Sequence, residues 1–210
     1  MEPEFVIENG VLTKYNGPGG DVIVPEGVEK IEHSVFDNCV KLTGVTLPES
    51  LLAIEFHAFM DCRNLAEITI PKNVRKIGPW AFFYCTSLKR ITVLSPKVSP
   101  PVKGEDPFED VDAPIVAPNM PLGDMSALWK LRAVWGFARE QTSYPDERQR
   151  EYLKYIKSQR KRLYPLAVRV KALLMLMLGE GMVSDTQPLL DEAERQNNTE
   201  AKALIQAYQP

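Results

Sequence analysis

Histidine occurs twice and cysteine three times in these 210 residues, and each scarcity removes a class of site. Two histidines argue against a multi-histidine metal centre, and His33 and His57 lie 24 positions apart. The chain also lacks a phosphate-binding glycine loop, a dinucleotide fingerprint, a His-Glu-x-x-His pair and a nucleophile elbow. His57, Asp61 and a serine make a triad only on paper, because such residues are common on any polar surface. No catalytic residue, metal ligand or cofactor site is assigned. Long apolar runs are missing too. The longest, Ala172 to Leu178, falls far below the roughly 18 residues that cross a bilayer. The opening Met1-Glu2-Pro3-Glu4 is acidic and leads into strand-like Phe5-Val6-Ile7 rather than into an apolar leader, so cytoplasmic residence is expected. Excess charge of either sign is absent: the net value is −3, with 44% hydrophobic and 25% charged residues, as in an ordinary globular chain.

What is present is repetition. Val22-Ile23-Val24-Pro25, Val45-Thr46-Leu47-Pro48, Ile68-Thr69-Ile70-Pro71 and Ile91-Thr92-Val93-Leu94 recur every 23 residues. Ile31, Ile54 and Ile77 keep that spacing, as do Phe36, Phe59 and Phe82, then Cys39, Cys62 and Cys85, then Leu42, Leu65 and Leu88. A fixed period of this length means a solenoid, in which each coil buries its apolar face only against its neighbours. Within a coil, Ile68 and Ile70 point inward and Glu67 and Thr69 outward. Proline ends the strand by withholding a donor. A second extended piece brings Val28, Leu51 and Val74 to the core, and the Phe-x-x-Cys-x-x-Leu segment is expected as a helical turn.

The pattern I-x-I-P, V-x-x-I, A-F-x-x-C-x-x-L resembles the BspA-like class of leucine-rich repeats. Ile68-Thr69-Ile70-Pro71, Val74, Ile77, Ala81-Phe82, Cys85 and Leu88 fill every slot, while Val35 replaces alanine in the first copy. The similarity spans about residues 5 to 120, including the lead-in Tyr15 to Gly20. It implies a curved stack of short strands and turns, and a role in protein or cell-surface recognition.

The expected fold is α+β: a leucine-rich-repeat solenoid over 1–121, then an all-α domain over 122–210. Residues 5–20 form the N-terminal cap, with Asn9-Gly10 as a hairpin turn. Three regular repeats fill 22–94, and 95–121 is a degenerate closing coil, proline-rich at its edge, with Phe108 in its turn and a strand at Ala113 to Pro118. Strands about 4.8 Å apart would bring the cysteines within disulfide range. Side chains in parallel register do not face one another, however, so three reduced, buried thiols are expected.

Beyond Leu122 the spacing becomes helical. Asp124 or Ser126 caps a helix with Leu128, Leu131, Val134, Trp135 and Ala138 on one side. Ser143 and Pro145 start a second, carrying Tyr152, Tyr155, Ile156 and Leu163. Pro165 opens a third, whose Ala172 to Leu178 run is apolar all round and is expected at the centre of the domain. Two short helices follow, joined at Asn197-Asn198, and this phrase resembles an ankyrin-type helical hairpin; it is expected to stack on the third helix. Three repeats are near the minimum for a stable stack, so the two parts are expected to unfold as one body.

Function is less legible. Slots that are His33-Ser34 and Asp37-Asn38 in the first repeat become Phe56-His57 and Met60-Asp61, then Pro79-Trp80 and Phe83-Tyr84. Aromatics not required by the repeat mark a partner site or an internal contact. Trp80, Phe83, Tyr84 and Phe56, with the outward sheet positions Thr46, Thr69 and Thr92, form the candidate surface of a non-enzymatic scaffold for a protein partner. Internal docking of Trp80, Phe83 and Tyr84 on the chain that follows them is the preferred use. The second reading is an adaptor for nucleic acid or an acidic surface through the basic segment 148–171, at Lys154, Lys157, Arg160, Lys161 and Arg162. Its plain counterpart is a solvated helix face neutralised by the acidic last hairpin.

Overall fold

The computed structural model describes residues 3–99 and 104–208, and the chain divides into two compact units, 1–126 and 127–210. The first is a β-solenoid. It opens with antiparallel strands β1 (Phe5–Glu8) and β2 (Val11–Tyr15). Asn9 and Gly10 between them have φ of 50° and 78°, the left-handed pair that a tight hairpin turn needs. Strand β2 then pairs in parallel with β4 (Lys30–Ile31), which continues into β6 (Ala53–Ile54) and β8 (Lys76–Ile77). The hairpin therefore covers the edge of this side of the stack.

The other side is made by β3 (Gly20–Ile23), β5 (Leu42–Thr46), β7 (Glu67–Ile70), β9 (Arg90–Val93) and β10 (Ile115–Val116). β3 pairs with β5, and β9 pairs with β7 on one side and β10 on the other, all in parallel. Proline closes the first three strands, whereas Leu94 stands in its place in the fourth. The amide that proline withholds is present there and donates to the Ile70 carbonyl at 3.0 Å. Residues 100–103 of the expected closing coil lie outside the described residues; the rest of it supplies Phe108 and β10.

A column of rings runs through the core. Tyr15, Phe36, Phe59, Phe82 and Phe108 follow one another with centroids 4.8 to 5.0 Å apart, and the four phenylalanines lie nearly parallel, at 4°, 2° and 12°. Cys62 Sγ donates to the Phe36 carbonyl and Cys85 Sγ to that of Phe59, each at 3.1 Å. Both thiols are buried and all three are free. Cys39 departs from the expectation. It is only half-buried, because no preceding coil supplies the carbonyl against which the later cysteines lie.

The first unit continues through a short 3-10 turn, Leu122–Asp124, before the helices begin. α1 (Ala127–Arg139) buries Trp129, Ala133, Val134, Phe137 and Ala138. The expected stripe through Leu128 and Leu131 is wrong: they are 45% and 40% exposed. The alternative stripe 129/133/137 carries Trp129 and Phe137, so turning it inward removes more apolar area from water. α2 (Asp146–Arg169) runs straight through Pro165, and α3 (Lys171–Gly179) starts only after Val170, in extended conformation at φ −110°, ψ 94°. Proline at this point costs the Lys161 carbonyl its amide partner, but both residues are exposed, so water can take the amide's place. α3 buries Leu173, Leu174 and Leu176 to Leu178 yet leaves Met175 50% exposed, so it is not covered all round.

The last two helices are α4 (Gln187–Arg195) and α5 (Thr199–Ala207). Asn198 caps α5 by accepting from the Ala201 amide at 2.9 Å. The pair is anchored mainly on the end of α2, where Asn198 Nδ2 donates to Val168 O (2.7 Å) and Gln196 Nε2 to Pro165 O (3.0 Å). The expected seat on the third helix is thereby moved, since polar side chains at the hairpin's own turn reach the last two turns of α2, where the Val168 carbonyl has no amide of its own helix to accept from.

Candidate functional site

Each coil turns at a segment whose backbone reverses hand twice. Ser34, His57 and Trp80 have φ of 57°, 57° and 51°, and Asn38, Asp61 and Tyr84 have 56°, 60° and 57°. This conformation aims the amide along the stack. Ser34 N donates to Phe56 O and His57 N to Pro79 O, while Asn38 N donates to Met60 O and Asp61 N to Phe83 O, at 2.8 to 3.3 Å. Asparagine, aspartate and histidine tolerate positive φ, whereas bulky residues there are outliers. The third repeat thus places a tryptophan and a tyrosine at the two positions where the turn least favours them.

The rings around these positions make two groups on the edge of the turn. Phe56 lies over His57 at 3.8 Å, His57 meets Trp80 at 5.9 Å, and Phe83 meets Tyr84 at 4.0 Å between centroids. Phe56 and Tyr84 are 41% and 44% exposed, and Trp80 and Phe83 are half-buried. Part of this edge is tied to the closing coil: Trp80 Nε1 donates to Glu109 Oε2 at 2.5 Å. Beside Tyr84, Arg63 is held by both carboxylate oxygens of Asp61 at 2.5 and 3.1 Å. The Asp61 carboxylate beside it raises the Arg63 pKa above its ordinary value.

The threonines sit on a different side of the coil. No ladder joins β5 to β7, and an open cleft of about 490 Å³ lies at this seam, lined by Asp21, Ile23, Thr46, Glu67 and Thr69 among others. Gly44 permits it. A Cβ at Gly44 would stand 2.7 Å from the Asp21 carboxylate, which also accepts from Thr43 Oγ1 at 2.9 Å. Thr46 and Thr69 are exposed in the cleft. Thr92 is a correction: it is only 9% exposed, with Val116 beside it in register and strands bonded on both of its flanks. The seven residues therefore divide into an aromatic edge and a sheet-face cleft, with one of them buried.

On α2, Lys154, Lys157, Lys161 and Arg162 are exposed and Arg160 is half-buried. None of the five has an acidic partner among the described residues. The acidic last hairpin pairs elsewhere, through Lys171–Glu200, Lys202–Glu194 and Arg195–Glu192. The expected neutralisation of the basic segment by that hairpin is limited to Lys171, at its end, and does not reach the five cations. Residues 1–126 hold eleven Lys/Arg against eighteen Asp/Glu and residues 127–210 fourteen against ten, so the two units carry opposite net charge. Among the described residues there is no cluster of histidine, cysteine and carboxylates able to hold a metal, and no helix long and apolar enough to cross a membrane.

The repeat region is similar to known proteins. Residues 15–99 match the BspA type leucine rich repeat region in six copies. A solved leucine-rich repeat protein from Eubacterium ventriosum is 27% identical over 46% of this chain and 28% of its own, with a TM-score of 0.42. One from Bacteroides capillosus is 24% identical over 55% of this chain and 99% of its own, TM-score 0.43. The T. pallidum leucine rich repeat protein is 26% identical over 55% and 61% of the two chains, TM-score 0.37. The chain thus spans less than two thirds of the first and third of these proteins. No curated protein matches it.

Proposed function

We propose that this protein is a non-enzymatic interaction scaffold whose aromatic edge, at Phe56, Trp80, Phe83 and Tyr84, receives a protein partner. Repeat proteins of this type generally act as protein-binding scaffolds. The carrying observation is that Trp80 and Tyr84 occupy left-handed turn positions filled by Ser34 and Asn38 in the first repeat. Strain of this kind, of order 1–3 kcal/mol per residue, persists where function repays it. The Trp80–Glu109 bond supports some internal docking on the closing coil, but Tyr84 remains open. The test is capture of partners by the full chain and by Tyr84→Asn: loss of one specific partner with melting unchanged or raised supports the reading, and an identical capture profile refutes it. Cytoplasmic residence is part of the same proposal, and cell fractionation tests it.

A second reading has its own observation, the five α2 cations without acidic partners. They suit a phosphate-rich or acidic-lipid surface. Binding to such a surface would fall steeply with salt, whereas an interface built on aromatics would not.

A further inference from the structure

We propose, building on the scaffold reading, that the aromatic edge takes an arginine-bearing basic segment of the partner protein. Stacking of Phe82 on Phe108 at 5.0 Å sets the alignment of the last regular turn with the closing one. Trp80 then corresponds to Asp106, Phe83 to Glu109 and Tyr84 to Asp110. Asp110 repeats the backbone of Tyr84, with φ of 58° against 57°. Asp106 Oδ1 accepts from the Phe108 amide and so serves its own turn, while Glu109 and Asp110, the counterparts of Phe83 and Tyr84, are exposed. Glu109, the counterpart of Phe83, is also reached by Trp80, whose Nε1 donates to it at 2.5 Å. Residues 104–112 contain five acidic residues and no lysine or arginine. The cation next to Tyr84, Arg63, is bidentate to Asp61, and Asp110 is exposed.

The chemistry selects the ligand. An anion is repelled by this turn, and a purely apolar ligand would strip water from carboxylates without pairing them. A guanidinium uses both halves of the site, stacking its plane on a ring face while its N–H groups reach a carboxylate. A lysine ammonium, compact and strongly hydrated, uses the carboxylates but gains less from the rings. The left-handed strain at Trp80 and Tyr84 fits this use, because asparagine or aspartate there would serve the turn better and supply no ring.

The test is anisotropy with the full chain and labelled hexa-arginine, hexa-lysine and hexa-glutamate peptides at about 150 mM salt, where long-range attraction is largely screened. Hexa-arginine is expected to bind more tightly than hexa-lysine, and any hexa-glutamate bound by the basic α2 face to be unaffected by Tyr84→Asn. Tyr84→Asn and Asp110→Asn should each weaken hexa-arginine at least about tenfold. The double control Glu8→Gln with Glu29→Gln, which removes exposed acids at the other end of the stack, should leave it unchanged. Absence of hexa-arginine binding, equal binding of hexa-lysine, or an equal loss in the control overturns the proposal. Self-association of the chain that Tyr84→Asn abolishes would also overturn it, by seating a second copy on the edge. If hexa-arginine fails while Tyr84→Asn still loses a captured partner, the scaffold reading stands and the arginine assignment falls.

Discussion

Tyr84 shows how one residue can work against its own coil. Its φ of 57° is shared with Asn38 and Asp61, residues that adopt this conformation at little cost. Tyr84→Asn is therefore expected to raise stability by about 1 kcal/mol while lowering partner affinity. Chemical denaturation checks the first half, and a clear loss of stability would show that the ring packs rather than presents. The thiols offer a second residue-scale prediction. Thiol labelling of the native protein should find Cys39 reacting first and Cys62 and Cys85 slowly, with all three equal in denaturant. The hydrogen bond with the neighbouring Cys85, and then burial, push the Cys62 thiol up, and burial pushes the Tyr152 phenol up. Both groups stay protonated in the folded state, so their contribution is complete below the unfolded pKa values, about 8.5 and 10. Above these it is lost progressively as pH rises. Melting temperature should hold level between about pH 6 and 8 and fall from about pH 9 upward; a rise there would contradict the assignment.

At the scale of the element, α2 is where a local rule yielded. Pro165 sits inside a continuous 24-residue helix, and the break comes instead at Val170. Tyr152, Ile156, Leu163, Tyr164, Ala167 and Val168 form one buried stripe on both sides of the proline. Burying that stripe whole outweighs a lost hydrogen bond at an exposed carbonyl. Pro165→Ala restores the amide donor without touching the stripe, and should stabilise the helical unit by about 1 to 3 kcal/mol. Thermal melting followed by circular dichroism measures this. Destabilisation would mean that the proline is required by its surroundings, where Gln196 bonds its carbonyl.

Across the whole molecule, the two units differ in how they hold together and in charge. The solenoid is stacked coil by coil along the phenylalanine column, and cooperativity in such stacks depends on every interface being present. The expectation that solenoid and helical unit unfold as one body is tested by calorimetry of the full chain beside residues 1–126. One transition, absent or much lower in the shorter chain, is the expected result; two independent transitions would count against it. The opposite charges of the units also bear on partner choice, since the acidic aromatic edge and the basic α2 face attract different ligands.

Periodicity alone determined the solenoid, because a side chain that recurs every 23 residues meets its own copy in the next coil whatever the rest of the chain does. The hairpin turn at Asn9-Gly10, from its turn-forming pair, and the buried phenylalanines, from their period, were legible in the same way. The turn slots were only half legible. Asn38, Asp61 and Asp110 share a residue type that tolerates positive φ, a signal that could have marked this column as a backbone requirement instead of a free surface slot. Which stripe of α1 turns inward, where the helix after Pro165 breaks, and whether Thr92 is open were decided by tertiary structure. In each case the competing local patterns differ little, and the choice falls to the area buried against segments distant in sequence. The pairing of outward rings with carboxylates likewise arises only when the closing coil, irregular in sequence, takes its place on the stack through Phe108.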